Sequence, residues 1–541
     1  MGREFRDPGP AASLHVPRSG LKATMKTTLP TTFWELVVGA ADDRPEAPVV
    51  SDDHGRALTR AQLRDTAETA AAALLGLGVN PDTIVSWQLP TTIESVVLLA
   101  ALARIGAVQN PLIPMLRERE VSFVTRQVRT ELLVVPEEWR GFRHGDMARD
   151  LARQSGFDVL EIDLAELGAR ESPTAIRLPV GDPAVLAPSP SLDGPRWIYY
   201  SSGTTADPKG ARHTDFSIMS SANGLLDLMG LGETDVYPIP WPITHIGGAS
   251  VLASSLRGGV HLLLFENFDP TETPVRMAAH QPTVLGTAVP FFRAYLDAAS
   301  RHGDESLFPS LRLGCFGGAP VPNEIHDEMR STFDVPLVGS WGLTEFPNAT
   351  SAAPSDSVEI VTTSVGRPAR DVAVRATDAN GDVCGTGEEG ELVLRGPQCF
   401  SGYVDATLND SSIDADGWFH TGDLGTIDAA GNVRVTGRIK DIIIRNAENI
   451  SVIEVEDLLY RNPAVADAAV VGVPDQRTGE RVVAFVVLRD GSDVGLAEIR
   501  QHCRRQGLAV QKCPEQLEVV EAIPRNAMGK VLKQDLRARL A

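Results

Sequence analysis

The segment Tyr199 to Gly210 carries the residue types most suited to chemistry. It combines four aliphatic hydroxyls, Ser201, Ser202, Thr204 and Thr205, with Gly203 and a cation, Lys209. Backbone N–H groups and hydroxyls in such a loop can surround a phosphate chain, and the ammonium adds positive charge. A turn needs far fewer hydroxyls than this. The spacing is not the G-x-x-x-x-G-K-S/T of the Walker loop. A apolar run, Trp197 to Tyr200, precedes the loop and reads as the strand that presents it.

The elements around this loop alternate helix and strand from Thr31 to about Ser340. Thr59 with Gln62 forms a capping box, and Leu63, Ala67, Ala70 and Leu74 follow at helical spacing before Gly76 and Gly78. Thr83 to Leu89 reads as a strand, and Thr91 with Glu94 opens a second, apolar helix. Further strands are expected at Leu132–Val135, Val260–Phe265, Thr283–Leu285 and Leu311–Phe316. This alternation predicts layered α/β structure with largely parallel sheets. From Val365 to Val435 the runs are short and rich in Gly and Asp, which predicts a β-rich subdomain. Beyond Arg438 the pattern becomes α+β: strand Ile442–Ile444, a helix from Ser451 with Glu454 in its first turn, strands Ala468–Val473 and Val482–Val487, a helix near Leu496–Gln506 and a last strand near Leu517–Val520. About 100 residues suffice for a separate domain.

Taken with the hydroxyl loop, several segments in the same order resemble the adenylate-forming superfamily, which includes acyl-CoA synthetases, aryl-CoA ligases, peptide-synthetase adenylation domains and luciferases. Gly317-Gly318-Ala319-Pro320 lies between a predicted strand and a helix, where glycine lets backbone approach a flat ligand. Gly339-Ser340-Trp341-Gly342-Leu343-Thr344-Glu345 resembles the family's aromatic-Gly-x-Thr-Glu motif. Thr421-Gly422-Asp423 follows about 80 residues later, then Gly437-Arg438-Ile439-Lys440-Asp441, and Asn526-Ala527-Met528-Gly529-Lys530 precedes a C-terminal helix.

The resemblance implies roles residue by residue. Gly317, Gly318, Ala319 and Pro320 would border adenine and the acyl group, Trp341 would offer a face for adenine, and Ser340 and Gly342 would bind the nucleotide, with Gly317 and Gly342 also touching the substrate. Glu345 would hold Mg²⁺, Thr344, a catalytic residue with it, would contact phosphate or AMP, Asp423 the ribose hydroxyls and Arg438 the ribose or phosphate. Lys530 would be the adenylation lysine, stabilising charge as a carboxylate attacks the α-phosphate. Trp241 to Gly248 is similar to the segment lining the acyl pocket, with His245 and Gly247 facing substrate and His245 also a catalytic residue, gating the path between thiol and acyl-adenylate. Two departures stand out: Ala206 in place of a usual glycine, and Asn446-Ala447 in place of a Gly-Gly pair. Asn is the residue that best tolerates the left-handed region after glycine.

The implied architecture is α/β: a flexible tail at 1–25, a large N-terminal adenylation domain at 26–437 with layered sheets and a β-rich subdomain, a hinge at 438–440 centred on Lys440, and a small mobile α+β domain at 441–541. The implied activity is an ATP- and Mg²⁺-dependent acyl-CoA synthetase using coenzyme A. Amino-acid-activating relatives carry a Phe-Asp pair where this chain has Thr244-His245-Ile246, so a medium-chain, alicyclic or aromatic carboxylate is expected. The alternatives are an enzyme that loads a carrier protein and a non-catalytic binder of nucleotide or acyl-AMP.

Composition narrows the rest. The 541 residues exceed what one core can organise, and a formal net charge of -21 argues against nucleic acid or anionic membranes as partners. Cys315, Cys384, Cys399, Cys503 and Cys513 form no C-x-x-C pair, and their odd number fits no closed disulfide framework, so free thiols in the cytoplasm are expected. The longest apolar stretch, Ser95 to Val108, contains Arg104 and is too short to span a bilayer. The oligomeric state stays open, a homodimer included.

Overall fold

The computed structural model describes residues 29–164, 174–190, 193–201, 208–303, 305–319, 321–446, 448–526 and 529–540. The expected tail at 1–25, and Ser202, Gly203, Thr204, Thr205, Ala206, Pro320 and Ala447, lie outside them. No helix among the described residues is long and apolar enough to cross a membrane.

Three sheets carry the N-terminal part. A six-stranded sheet has the order 158–162, 132–136, 84–87, 108–111, 197–201, 209–213, and all its pairings are parallel except the last. A four-stranded sheet joins 57–59, 48–52, 261–264 and 236–239, and a five-stranded one joins 284–285, 313–317, 337–341, 350–351 and 367–368. Parallel strands buried on both faces need continuous apolar runs, and Leu132 to Pro136 is buried throughout. One large core joins the sheets to their helices, and a smaller one covers the other face of the six-stranded sheet around Leu133, Val135 and Leu151.

Local chemistry explains the helix starts. Thr59 accepts from the Gln62 backbone and Gln62 returns a bond to the Thr59 N–H, so the expected capping box forms ahead of helix Arg60–Gly76. The expected start at Thr91 does not. Thr92 occupies the cap of helix Ile93–Ile105 without a side-chain bond. Thr91 instead donates to the Trp241 carbonyl at 2.7 Å, and Glu94 is buried against Arg56 at 2.6 Å. A long-range partner for each side chain displaced the local cap.

The β-rich subdomain is an antiparallel sheet of 373–377, 390–395, 419–427 and 433–438 with its own core around Phe346, Phe400 and Phe419. The C-terminal part forms about a long hairpin, Val465–Asp475 with Gly479–Leu488, joined by strands 443–445, 448–450 and 516–519. Its apolar residues sort by the two-residue period of a strand. Ala468, Val470, Val482, Ala484 and Val486 pack with helices Val452–Tyr460 and Leu496–Arg505, while Ala469, Val471, Val483 and Phe485 pack with Leu536 of helix Lys533–Ala538. Both faces are covered, which is why these strands read as unbroken apolar runs.

Candidate active site

A cleft of about 1140 Å³ opens between the large core and the C-terminal part. Gly318, Ala319, Ser340, Trp341, Gly342, Asp423, Arg438, Lys440 and Lys530 all line it. Residues from five separate stretches of the sequence therefore converge on one space.

Strand pairing sets the centre of this cleft. Asp423 and Arg438 are register partners across the antiparallel pair 419–427 and 433–438. The strand just before Asp423 is pinned: Thr421 donates to the Leu392 carbonyl at 2.6 Å, and Glu391 accepts from the Gly422 N–H at 3.0 Å. Trp341, at the end of strand 337–341, donates its indole N–H to Asp423 Oδ2 at 2.8 Å. Arg438 Nε lies 2.7 Å from Oδ1 as an ion pair but off the hydrogen-bond axis, so Oδ1 keeps acceptor capacity. A buried carboxylate with one oxygen held and one available suits a diol.

The flanking wall is built from close backbone. Gly318 follows strand 313–317 with φ +79, a conformation costly for residues with a Cβ. A Cβ on Gly342 would meet the Asn348 nitrogen at 2.4 Å. Ser340 donates to Asn348 Oδ1 at 3.1 Å, so this strand end is fixed.

Lys530 reaches the cleft from a tight loop. Its N–H donates to Asn526 Oδ1 at 3.0 Å, and its carbonyl accepts from the Asn526 N–H at 2.9 Å. Burial first, then the Arg438 guanidinium, lower its pKa to about 8; Asp423, Asp441 and Glu345 oppose the shift. Lys440 is exposed in the short turn Ile439–Asp441 that connects the two parts. Ser451, the cap of the next helix, donates to the Thr436 carbonyl at 2.6 Å and ties the parts together.

A second group adjoins the cleft without lining it. Ser201 and Lys209 are register partners in the antiparallel pair 197–201 and 209–213. Glu345 is only 7% exposed. Its Oε1 accepts from Tyr403 at 2.7 Å and from Ser201 at 3.5 Å. Among the described residues Oε2 has no hydrogen bond. Lys209 Nζ sits 5.3 Å from the centre of the Tyr403 ring. The Thr344 carbonyl accepts from the buried His213 ring at 2.8 Å.

His245 and Gly247 are not among the residues lining the cleft. His245 caps helix Ile246–Gly258, its Nδ1 accepting from the Gly247 N–H at 3.1 Å. Burial holds its pKa down at about 4, so the ring is neutral. Asn446 adopts φ +50, the left-handed conformation expected where glycine is usual. Tyr403 and His213 were not legible as site residues. The one available signal for Tyr403 was a phenol placed directly after a glycine, Gly402, between two strand-like runs.

The AMP-binding enzyme model matches residues 38–404, and the AMP-binding enzyme C-terminal domain model matches residues 454–530. The chain belongs to the AMP-binding enzyme family. This AMP-binding enzyme is 34% identical over 530 residues to a CoA ligase for a methyl-dioxo-octahydroindenyl propanoyl group from Mycobacterium tuberculosis, covering 94% of this chain and 98% of that one. It is 30% identical over 518 residues to the medium-chain fatty-acid–CoA ligase of Escherichia coli, covering 94% and 90%. Its fold superposes on ATP-bound MatB from Rhodopseudomonas palustris with a TM-score of 0.83 at 27% identity, covering 94% of this chain and 98% of MatB. It is an adenylate-forming enzyme of the AMP-forming acid–thiol ligase class.

Proposed function

We propose that this AMP-binding enzyme is an ATP-dependent acyl-CoA synthetase. The observation that carries the reading is the placement of Lys530 over the Asp423–Arg438 pair, within electrostatic reach of Glu345. Asp423 Oδ1 accepts from ribose hydroxyls, and Trp341 with Gly318, Ala319 and Pro320 borders adenine. The hydroxyl loop with Ser201, Ser202, Gly203, Thr204, Thr205 and Lys209 takes the phosphates, and Thr344 lies beside them.

In the first half-reaction a carboxylate oxygen of the acid bonds to the α-phosphorus. The bond from that phosphorus to the bridging oxygen breaks, and pyrophosphate leaves with the electron pair. Charge grows on the equatorial oxygens, where the Lys530 ammonium stabilises it. The buried Glu345 carboxylate, with Oε2 unbonded among the described residues, fits a Mg²⁺ ion, which when bound neutralises phosphate charge. In the second half-reaction the coenzyme A sulfur attacks the acyl carbon, AMP leaves and the thiol proton passes to solvent.

One site serves both steps if the small domain, 441–541, turns about Lys440 within the hinge 438–440 relative to the large domain, 26–437. The present arrangement, with Lys530 in the cleft, is the adenylating one. The absence of a carboxylate in Thr244-His245-Ile246 and the apolar character of Trp241 and Ile243 favour a medium-chain, alicyclic or aromatic acid, with His245 and Gly247 near its path.

The test is pyrophosphate release with ATP and Mg²⁺ across a panel of such acids, with and without coenzyme A. Release on particular acids with acyl-CoA as product, reduced by ~10²–10³-fold in Lys530→Ala, is expected. Release without thioester, restored to product by a carrier-protein thiol, would assign the other acceptor. ATP binding with no release on any acid would overturn the reading.

A further inference from the structure

We infer that Tyr403 is the positioning residue that orients Glu345 for the metal ion of the ATP complex. The inference rests on the proposed synthetase reading and deepens it.

A carboxylate buried to the extent of Glu345 requires partners, because burial penalises its charge. Among the described residues its hydrogen-bond donors are Tyr403 at 2.7 Å and Ser201 at 3.5 Å, and both address Oε1. The Tyr403 bond is the short one, and it fixes which oxygen remains for a cation. Tyr403 is itself held on three sides. Its N–H donates to Asn409 Oδ1 at 2.7 Å, its backbone bridges Ala211 of strand 209–213, and its ring meets Phe400 edge-on at 4.8 Å.

The same ring lies under Lys209. Tyr403 thus touches a carboxylate suited to a divalent cation and an ammonium suited to phosphate. It comes from a third stretch of chain that neither motif contains. Its task is to hold Glu345 in one rotamer before the cation arrives, so that ordering is not required at binding.

The experiment measures Mn²⁺ binding to the enzyme–ATP complex by electron paramagnetic resonance, in the wild-type chain, Tyr403→Phe, Ser201→Ala and Glu345→Gln. Thermal midpoints are recorded alongside. Tyr403→Phe keeps the ring against Lys209 and Phe400 and removes only the hydroxyl, which donates to Glu345 and also pairs with Ser412. The expected result is a Kd for Mn²⁺ raised about 10-fold, the range seen for outer partners of metal ligands. ATP binding in chelator changes little, and Ser201→Ala shifts the metal Kd by less than about 3-fold, in keeping with its longer contact. An unchanged Mn²⁺ Kd in Tyr403→Phe, with Glu345→Gln strongly weakened, overturns the role of Tyr403 and leaves the synthetase reading standing. Equal losses in Tyr403→Phe and Ser201→Ala also overturn it, since polarity around Glu345 would then be responsible. No effect of Glu345→Gln overturns the metal assignment on which the inference rests.

Discussion

Gly529 lies against Ala288: a Cβ built on Gly529 would stand 3.0 Å from the Ala288 Cβ and 3.4 Å from Pro290 Cδ. This contact crosses from the C-terminal loop to the large core, one residue before Lys530. The backbone of Gly529 also has φ +79, which L side chains rarely adopt. Gly529→Val should therefore push the lysine loop out of the cleft. A displacement of about 1 Å at a reacting group costs on the order of 10²-fold. Pyrophosphate release should fall by that order, while thioester formation from supplied acyl-AMP should persist. Equal loss of both half-reactions in a folded variant would mean that the loop serves both arrangements.

The Trp341–Asp423 bond makes a separate prediction. Trp341→Phe keeps an aromatic face on the cleft but leaves Asp423 Oδ2 without its donor. A hydrogen bond to a charged group contributes about 1.5–3 kcal/mol. If Asp423 holds the ribose, the KM for ATP should rise by about 10-fold or more with a smaller change in kcat. A fall confined to kcat would remove the ribose assignment.

Why some of this was readable and some not follows from the range of each interaction. The capping box at Thr59 and the apolar runs of the C-terminal hairpin depend on neighbours three residues away or on strand period, and both appear in the structure. Trp341, Asp423, Arg438 and Lys530 line one cleft, held there by strand pairing and by the tight loop of Asn526 and Lys530. Thr91 misled because its partner is the Trp241 carbonyl, far away in sequence. Tyr403 escaped notice for the same reason: its value lies in the Glu345 carboxylate, 58 residues distant. His245 caps a helix through Nδ1, a local contact with the Gly247 N–H that its place among apolar residues does not announce.

The lowered pKa of Lys530 predicts an alkaline limit to adenylation. The ammonium is the form that stabilises phosphate charge. With the pKa at about 8 instead of 10.5, it is mostly charged at pH 7 and is lost as pH rises through 8. The kcat/KM of the pyrophosphate-forming step should fall about tenfold per pH unit above that point. Lys530→Arg keeps its charge across the same range, so its lower residual activity should lack this limb. An identical limb in the arginine variant would assign the titration elsewhere.

Acid stability should be governed in part by His213. It is fully buried, donates from Nε2 to the Thr344 carbonyl (2.8 Å) and pairs through Nδ1 with Ser217 Oγ (3.0 Å), and burial lowers its pKa to about 4. The unfolded chain binds a proton at this histidine near its ordinary pKa of 6.5, whereas the folded chain does not until about 4. Folding stability from this group is therefore complete above pH 6.5 and is lost as pH falls towards 4, by about 3 kcal/mol at most. His213→Gln offers a donor and an acceptor without titrating. Its urea midpoint at pH 7 should fall modestly, and the difference from wild type should shrink or reverse between pH 6.5 and 4.5. A constant difference across that range would show that the proton uptake of His213 does not limit stability.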